Sequence, residues 1–219
     1  MKTVYFVRHG ESEANIEHPT YLGEEAKLTE RGKEQAQFIA KRCTKLPVEV
    51  LIASTAVRAQ QTAQFISEAT GLKMEVNGLF TERKGPNELL GRLTSDPQMQ
   101  EMEKEWMLTF FEDDRRVGSG ENFADLEERA LQALAHLLER PEEHILVATH
   151  GFFLHMIIAL VTLGESLTAQ EFNRVAPAVW IDNTGITRIE YRDQVFRRID
   201  GKHHKGWVLR VWNDHAHLG

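Results

Sequence analysis

Two histidines and two arginines in this sequence lie where apolar, β-rich runs give way to charge and glycine. Arg8-His9-Gly10 follows the run at residues 3–7, and Thr149-His150-Gly151 follows the run at residues 144–148. Arg58 lies one helical turn beyond Ser54-Thr55, which closes a third run at residues 48–53. Together these residue types suit phosphoryl transfer. A phosphoryl dianion needs positive charge around its nonbridging oxygens and a nucleophile in line with the leaving oxygen. Guanidinium groups offer forked, permanently charged donors to those oxygens. A neutral imidazole can attack phosphorus through one ring nitrogen when the other is held as a donor. On this reading His9 is the nucleophile, Arg8 and Arg58 hold the phosphoryl oxygens, and His150 donates to the group as it moves. Gly10 is expected to let the backbone approach the ligand. The amides that open the helix after His150 and Gly151 are expected to add to the positive field. Glu82 is the candidate proton donor to the leaving oxygen and the later base for water, with Glu88 and Glu11 as rivals that spacing leaves open.

The elements that must position these residues alternate. Helices are predicted from the N-cap Thr29 to about Cys43, from beyond Ser54-Thr55 to Thr70 with Gly71 as its stop, and over residues 98–111, 122–140 and 152–163. Short strands are predicted at 73–76, 178–181, 185–191 and 194–199, the last two as a hairpin about Arg192-Asp193. Strands alternating with helices imply an α/β fold, a three-layer α/β/α sandwich with a mostly parallel central sheet. We read residues 1–219 as one domain, with 90–120 as a short cover segment and 200–219 as a C-terminal tail. Ligands of such sheets bind beyond the carboxyl ends of the strands. That rule alone brings both histidines and both arginines to one edge.

Bulk properties narrow the function. A net charge of −7 argues against nucleic acid or an anionic membrane as partner, so a bound anion needs a local cationic cluster. The expected partner is a small phosphorylated substrate. Residues 1–7 are too short for a signal peptide, and the apolar run 151–163 is too short to cross a bilayer, which suggests a cytoplasmic protein. Cys43 is the single cysteine and reads as a packing residue. His203, His204, His215 and His217 match no closed zinc spacing and read as surface tail residues, so neither metal nor organic cofactor is expected. Residues 101–105 read as a solvated helix face, and Trp106, Phe110 and Phe111 as aromatic core in preference to the lining of a substrate pocket.

Ordered motifs add a resemblance. Val7-Arg8-His9-Gly10-Glu11-Ser12 with Asn15 resembles the Arg-His-Gly signature of the histidine phosphatase superfamily, which includes cofactor-dependent phosphoglycerate mutases. Leu28-Thr29-Glu30-Arg31-Gly32, Ser54-Thr55-Ala56-Val57-Arg58, Gly118-Ser119-Gly120-Glu121-Asn122, Val147-Ala148-Thr149-His150-Gly151 and Asn183-Thr184-Gly185 are similar to its later blocks, in family order. The resemblance implies His9 as nucleophile, Arg8, Arg58 and His150 as phosphate ligands, Asn15 as a substrate contact, and Glu82 as proton donor; Gly151 is expected to contact substrate through the helix-start backbone. Residues 82–89 lack the run that follows this acid in the mutases, and 90–120 is short for their lid. The expected activity is therefore that of a phosphomonoesterase acting through phosphohistidine. The alternatives are a mutase-like phosphotransferase and a noncatalytic phospholigand-binding module.

Overall fold

The computed structural model describes residues 1–16, 18–112, 115–164, 166–192 and 205–218. Its strands are β1 (Lys2–Arg8), β2 (Val50–Ala53), β3 (Met74–Val76), β4 (His144–Thr149), β5 (Ile186–Arg192) and β6 (Gly206–Asp214). Its helices are α1 (Glu30–Cys43), α2 (Val57–Thr70), α3 (Pro97–Thr109), α4 (Phe123–Glu139), α5 (Gly151–Leu163) and α6 (Ala169–Val175). The strands form one mixed, mostly parallel sheet in the order β3-β2-β4-β1-β5-β6. β1 to β4 are mutually parallel, β5 is antiparallel to β1, and β6 is antiparallel to β5.

Side chains on the central strands alternate between two buried faces. Val4, Phe6, Ile52 and Val147 pack against Leu126 and Leu137 of α4 and against Phe153 and Ile157 of α5. Tyr5, Val7, Leu51 and Ala148 pack against Ile39 and Cys43 of α1 and Ala63 and Ile66 of α2. With both faces covered, the strands read as continuous apolar runs rather than alternating ones. Cys43 lies in this second layer, where burial pushes its thiol up to about 12. Among the described residues no helix is long and apolar enough to cross a membrane.

Register brings the candidate residues level. Ala148 is paired with both Val7 and Ala53, so β1, β2 and β4 end in one row. The amide of His9 then donates to the Thr149 carbonyl at 2.9 Å and that of Ser54 to the Ala148 carbonyl at 3.0 Å. α1 starts at its predicted cap, with the Thr29 hydroxyl accepting from Gly32 N at 3.0 Å, and α2 stops at Gly71 in the left-handed region at φ 76°.

The late part of the chain departs from expectation. Residues 178–181 form no strand: Ala176–Ala178 is a 3-10 turn containing Pro177, and the next three carbonyls serve side chains. Val179 O is bonded by His155, Trp180 O by Trp212 and Ile181 O by Arg8, so no ladder can form there. The proposed strand at 194–199 lies outside the described residues. The partner of β5 is instead β6, within the segment read as a tail, and its Trp207 and Leu209 pack against the core. α6 was not anticipated from the sequence. It starts at a capping box formed by Thr168 and Glu171.

Candidate active site

β1 delivers Arg8 and His9 to the carboxyl edge of the sheet. His9 is 3% exposed. Its Nδ1 lies 2.7 Å from the Gly10 carbonyl oxygen, which can only accept, so Nδ1 carries the proton. Nε2 is thereby left with its lone pair, toward which Arg58 Nε donates at 3.1 Å. Burial, then the charges of Arg58 and Arg8, hold this imidazole well below the ordinary histidine range, so it is neutral. β4 delivers His150, which is fully buried with its ring edge-on to that of His9 at 5.1 Å between centroids. Its Nε2 meets the Ser54 hydroxyl at 2.7 Å, at the end of β2, and its buried Nδ1 has no hydrogen-bond partner among the described residues. Burial, then Arg58 and His9, lower its basicity as well. Arg58 rises from the first turn of α2 and also donates through Nη1 to Gly23 O at 2.9 Å. Arg8 donates to Ile181 O, and its buried Nε has no hydrogen-bond partner among the described residues.

Glu82 faces these groups across a cleft of about 810 Å³ that also contains His9, Arg8, Arg58, Asn15 and Gly151. Its carboxylate accepts from Phe153 N at 2.8 Å and Phe152 N at 3.2 Å, and it attracts both Arg8 and Arg58. The α5 amides expected to face an anionic ligand therefore hold Glu82 instead. The rivals are engaged elsewhere. Glu88 is exposed and bonded to Ser119 at 3.0 Å, whereas Glu11 accepts from the Thr29 hydroxyl at 2.8 Å and pairs with Arg31. Neither contributes to the cleft wall.

Two glycines act differently from each other. A Cβ on Gly10 would lie 2.4 Å from Gly32 O, so this glycine is needed for close packing on the start of α1 rather than for approach to a ligand. Gly151 sits beside the Arg8 side chain, 3.4 Å from Nε to a Cβ placed there. Asn15 borders the cleft but also caps its own turn, its Oδ1 accepting from Ser12 N at 3.0 Å.

The structure adds positioning groups that the sequence reading did not assign. The 182–185 loop clasps the β1 exit: Asn183 donates to His9 O, and Thr184 N to Arg8 O, each at 2.9 Å. Thr184 adopts φ 61°, an unfavourable conformation for a β-branched residue, and is secured by its hydroxyl against His217 Nε2 at 3.0 Å. His217 is thus a structural contact rather than a free tail residue, and His215 pairs with Asp182; His203 and His204 lie outside the described residues. Among the described residues no three His, Cys, Asp or Glu side chains gather as a metal site.

Beneath Glu82, the buried Arg129 forks onto the Glu121 carboxylate at 2.8 and 2.7 Å and bonds the Leu79, Thr81 and Glu82 carbonyls. Glu121 accepts from Lys84 N at 2.8 Å, so the pair secures the backbone on both sides of Glu82. A signal for Arg129 did exist. It interrupts the apolar stripe of Leu126, Ala130 and Ala133 on α4, a place where a charge needs a partner.

The sequence profile of the histidine phosphatase superfamily (branch 1) matches residues 4–200. The chain belongs to that superfamily. Among its relatives, "Probable phosphoglycerate mutase GpmB" of Enterobacter sp. (strain 638) is 30% identical, the match covering 100% of this chain and 95% of that protein. Two solved histidine phosphatase folds resemble it at 21% identity. A mycobacterial glucosyl-3-phosphoglycerate phosphatase superposes with a TM-score of 0.70, covering 97% of this chain and 98% of the other. A phosphoserine phosphatase of Entamoeba histolytica, solved with phosphoserine, gives 0.73 over 100% of each. As a superfamily member, the chain carries its Arg-His-Gly signature at the end of β1, the central position of the sheet edge.

Proposed function

We propose that this histidine phosphatase superfamily member hydrolyses phosphomonoesters through a phosphohistidine at Nε2 of His9. The observation that carries this reading is the tautomer of His9. A carbonyl holds Nδ1–H at 2.7 Å, and Nε2 is bare among cationic groups. A nucleophile of that kind has no purpose in a pure binding module. In the first step Nε2 forms a bond to phosphorus as the bond to the alcohol oxygen breaks. Arg58 turns its donor from Nε2 to a phosphoryl oxygen, and Arg8 adds a second fork. The Ser54 hydroxyl accepts from Ala56 N and lies 2.7 Å from His150 Nε2; with that hydroxyl as the donor, the His150 proton sits on Nδ1, where it can reach a phosphoryl oxygen. Glu82, acting in its protonated form, gives its proton to the leaving alkoxide as the bond to phosphorus breaks. In the second step Glu82 takes a proton from water, the water oxygen bonds to phosphorus, and the Nε2–P bond breaks to release inorganic phosphate. These residues supply the positive field without a metal or organic cofactor.

A mutase reading draws on the name given to the 30%-identical relatives. A mutase must keep water from the phosphohistidine while the substrate reorients. Here the 90–120 segment contributes Leu90, Thr94, Glu103 and Trp106 to one wall, and exposed side chains such as Ile16, Lys84 and Asn87 line the same cleft. Water reaches such a cleft, which favours hydrolysis. The test is incubation with 3-phosphoglycerate, with and without 2,3-bisphosphoglycerate, alongside an aryl phosphate. Release of inorganic phosphate from the aryl ester with slow or no isomerisation is expected. Rapid primer-dependent isomerisation with little free phosphate would overturn the phosphatase reading.

A further inference from the structure

The inner end of the cleft accounts for the phosphoryl group, but a space of about 810 Å³ is far larger than that group. The alcohol part of a substrate must occupy the remainder, and the charges there are unlike those around His9. Glu13, Glu24, Glu25 and Glu103 line it. The cations on the same walls, beyond Arg8 and Arg58, are Arg83 and Lys84. Arg83 is buried and committed: its Nε donates to Glu121 O at 3.2 Å, its Nη2 to Trp106 O at 2.7 Å, and its guanidinium lies 3.8 Å from the centre of the Trp106 ring. Lys84 is exposed, as is Glu25, so solvent and salt screen the two alike. A carboxylate on the substrate therefore meets Glu25 and Glu103, neither bonded through its side chain among the described residues, while Glu13 is engaged by Lys27 N at 2.8 Å and Glu24 by the Thr55 hydroxyl at 2.9 Å; beyond Arg8 and Arg58 it finds no buried cation free to pair with it.

Hydroxyl groups, by contrast, find acceptors. Carboxylates accept from hydroxyls in charge-assisted bonds. Tyr21 adds a phenol to the same wall. It reaches there because Gly85 leaves room: a Cβ on Gly85 would lie 2.3 Å from the Tyr21 oxygen. That phenol has no hydrogen-bond partner among the described residues, and burial together with the charge of Glu103 raises it, so it stays protonated as a donor. Asn87 contributes an amide.

Building on the phosphatase reading, we infer that the outer cleft selects monoesters whose alcohol part is hydroxyl-bearing and free of negative charge, such as polyol or sugar monophosphates, against those whose alcohol carries a carboxylate. Glu103 and Glu25 are the proposed specificity determinants.

A matched pair of substrates tests this. Glycerol 3-phosphate and 3-phosphoglycerate differ only in a hydroxymethyl group where the latter has a carboxylate. The expected kcat/KM for phosphate release favours glycerol 3-phosphate by about tenfold or more at low salt, with the ratio falling as salt is added. The double variant Glu25→Gln and Glu103→Gln should narrow that ratio to within about threefold, chiefly by improving 3-phosphoglycerate. Equal handling of the two esters by a protein active on p-nitrophenyl phosphate overturns the inference and leaves the phosphatase reading standing. So does a ratio that the double variant does not move. Absence of hydrolysis of all three esters overturns both.

Discussion

The two ends of the cleft are built by opposite means. At the inner end His9, His150 and Arg58 are nearly or fully buried, and their donors are fixed by backbone carbonyls and by one another. At the outer end Glu25 is exposed, Glu103 and Tyr21 are half-buried, and they come from a loop and from α3. The inner end is cationic and stands on the ends of β1, β2 and β4; the outer end is acidic and stands on connecting segments. Groups that must meet a developing charge in one geometry gain from preorganisation on rigid strands. Groups that choose among alcohols can sit on segments free to vary. Glu82 joins the ends: its carboxylate is held by the first amides of α5, while its backbone hangs from the Arg129–Glu121 pair.

That junction offers the largest effect for breaking the comparison. If Glu82 protonates the leaving oxygen, Glu82→Gln should slow an alkyl phosphate by about a hundredfold and an aryl phosphate by less than about threefold. An aryloxide departs readily without a proton, whereas an alkoxide does not. Equal losses on both esters would mean that Glu82 belongs to the outer, substrate-choosing end.

A smaller effect is expected from the two imidazoles of the inner end, which burial keeps neutral among the cationic arginines. His9 and His150 lie well below 6.5 in the folded protein and return to about that value on unfolding. Below about pH 6.5 the unfolded chain therefore binds more protons, so the stability these histidines contribute above that pH is lost as pH falls. Each adds a slope of about 1.4 kcal/mol per pH unit in that window. Urea unfolding of His9→Gln between about pH 6 and 5 should show a dependence flatter by that amount. An unchanged slope would mean that the imidazole is not buried in its neutral form.

The same contrast explains what could be read in the sequence. Arg8, His9, Arg58 and His150 follow apolar runs, and a parallel sheet aligns the ends of such runs, so spacing alone brought them to one edge. Glu82 is the preferred of three acids in the sequence, but spacing leaves Glu88 and Glu11 open; what the sequence does not show is that the Glu82 carboxylate borders the cleft on Phe152 N and Phe153 N while the other two lie outside its wall. Residues 101–105 read as a solvated helix face, yet Glu103 on that face borders the cleft. Nothing local in the sequence says which side of α3 meets Tyr21, since that depends on how a long connection folds back. Gly10 was assigned to ligand approach because its contact with Gly32 is a tertiary one. β6 does carry an alternating pattern, with Trp207 and Leu209 turned to the core, but its link to β5 runs through residues outside those described.

In the proposed mechanism His9 Nε2 carries the phosphoryl group between the two steps. This assignment is tested most directly by rapid acid-free quenching of the enzyme during turnover of a labelled phosphomonoester, followed by peptide mapping. Acid-labile, base-stable label is expected on the peptide containing His9, and none with His9→Ala. Label on His150 or on a serine, or turnover by His9→Ala at the wild-type rate, would contradict it.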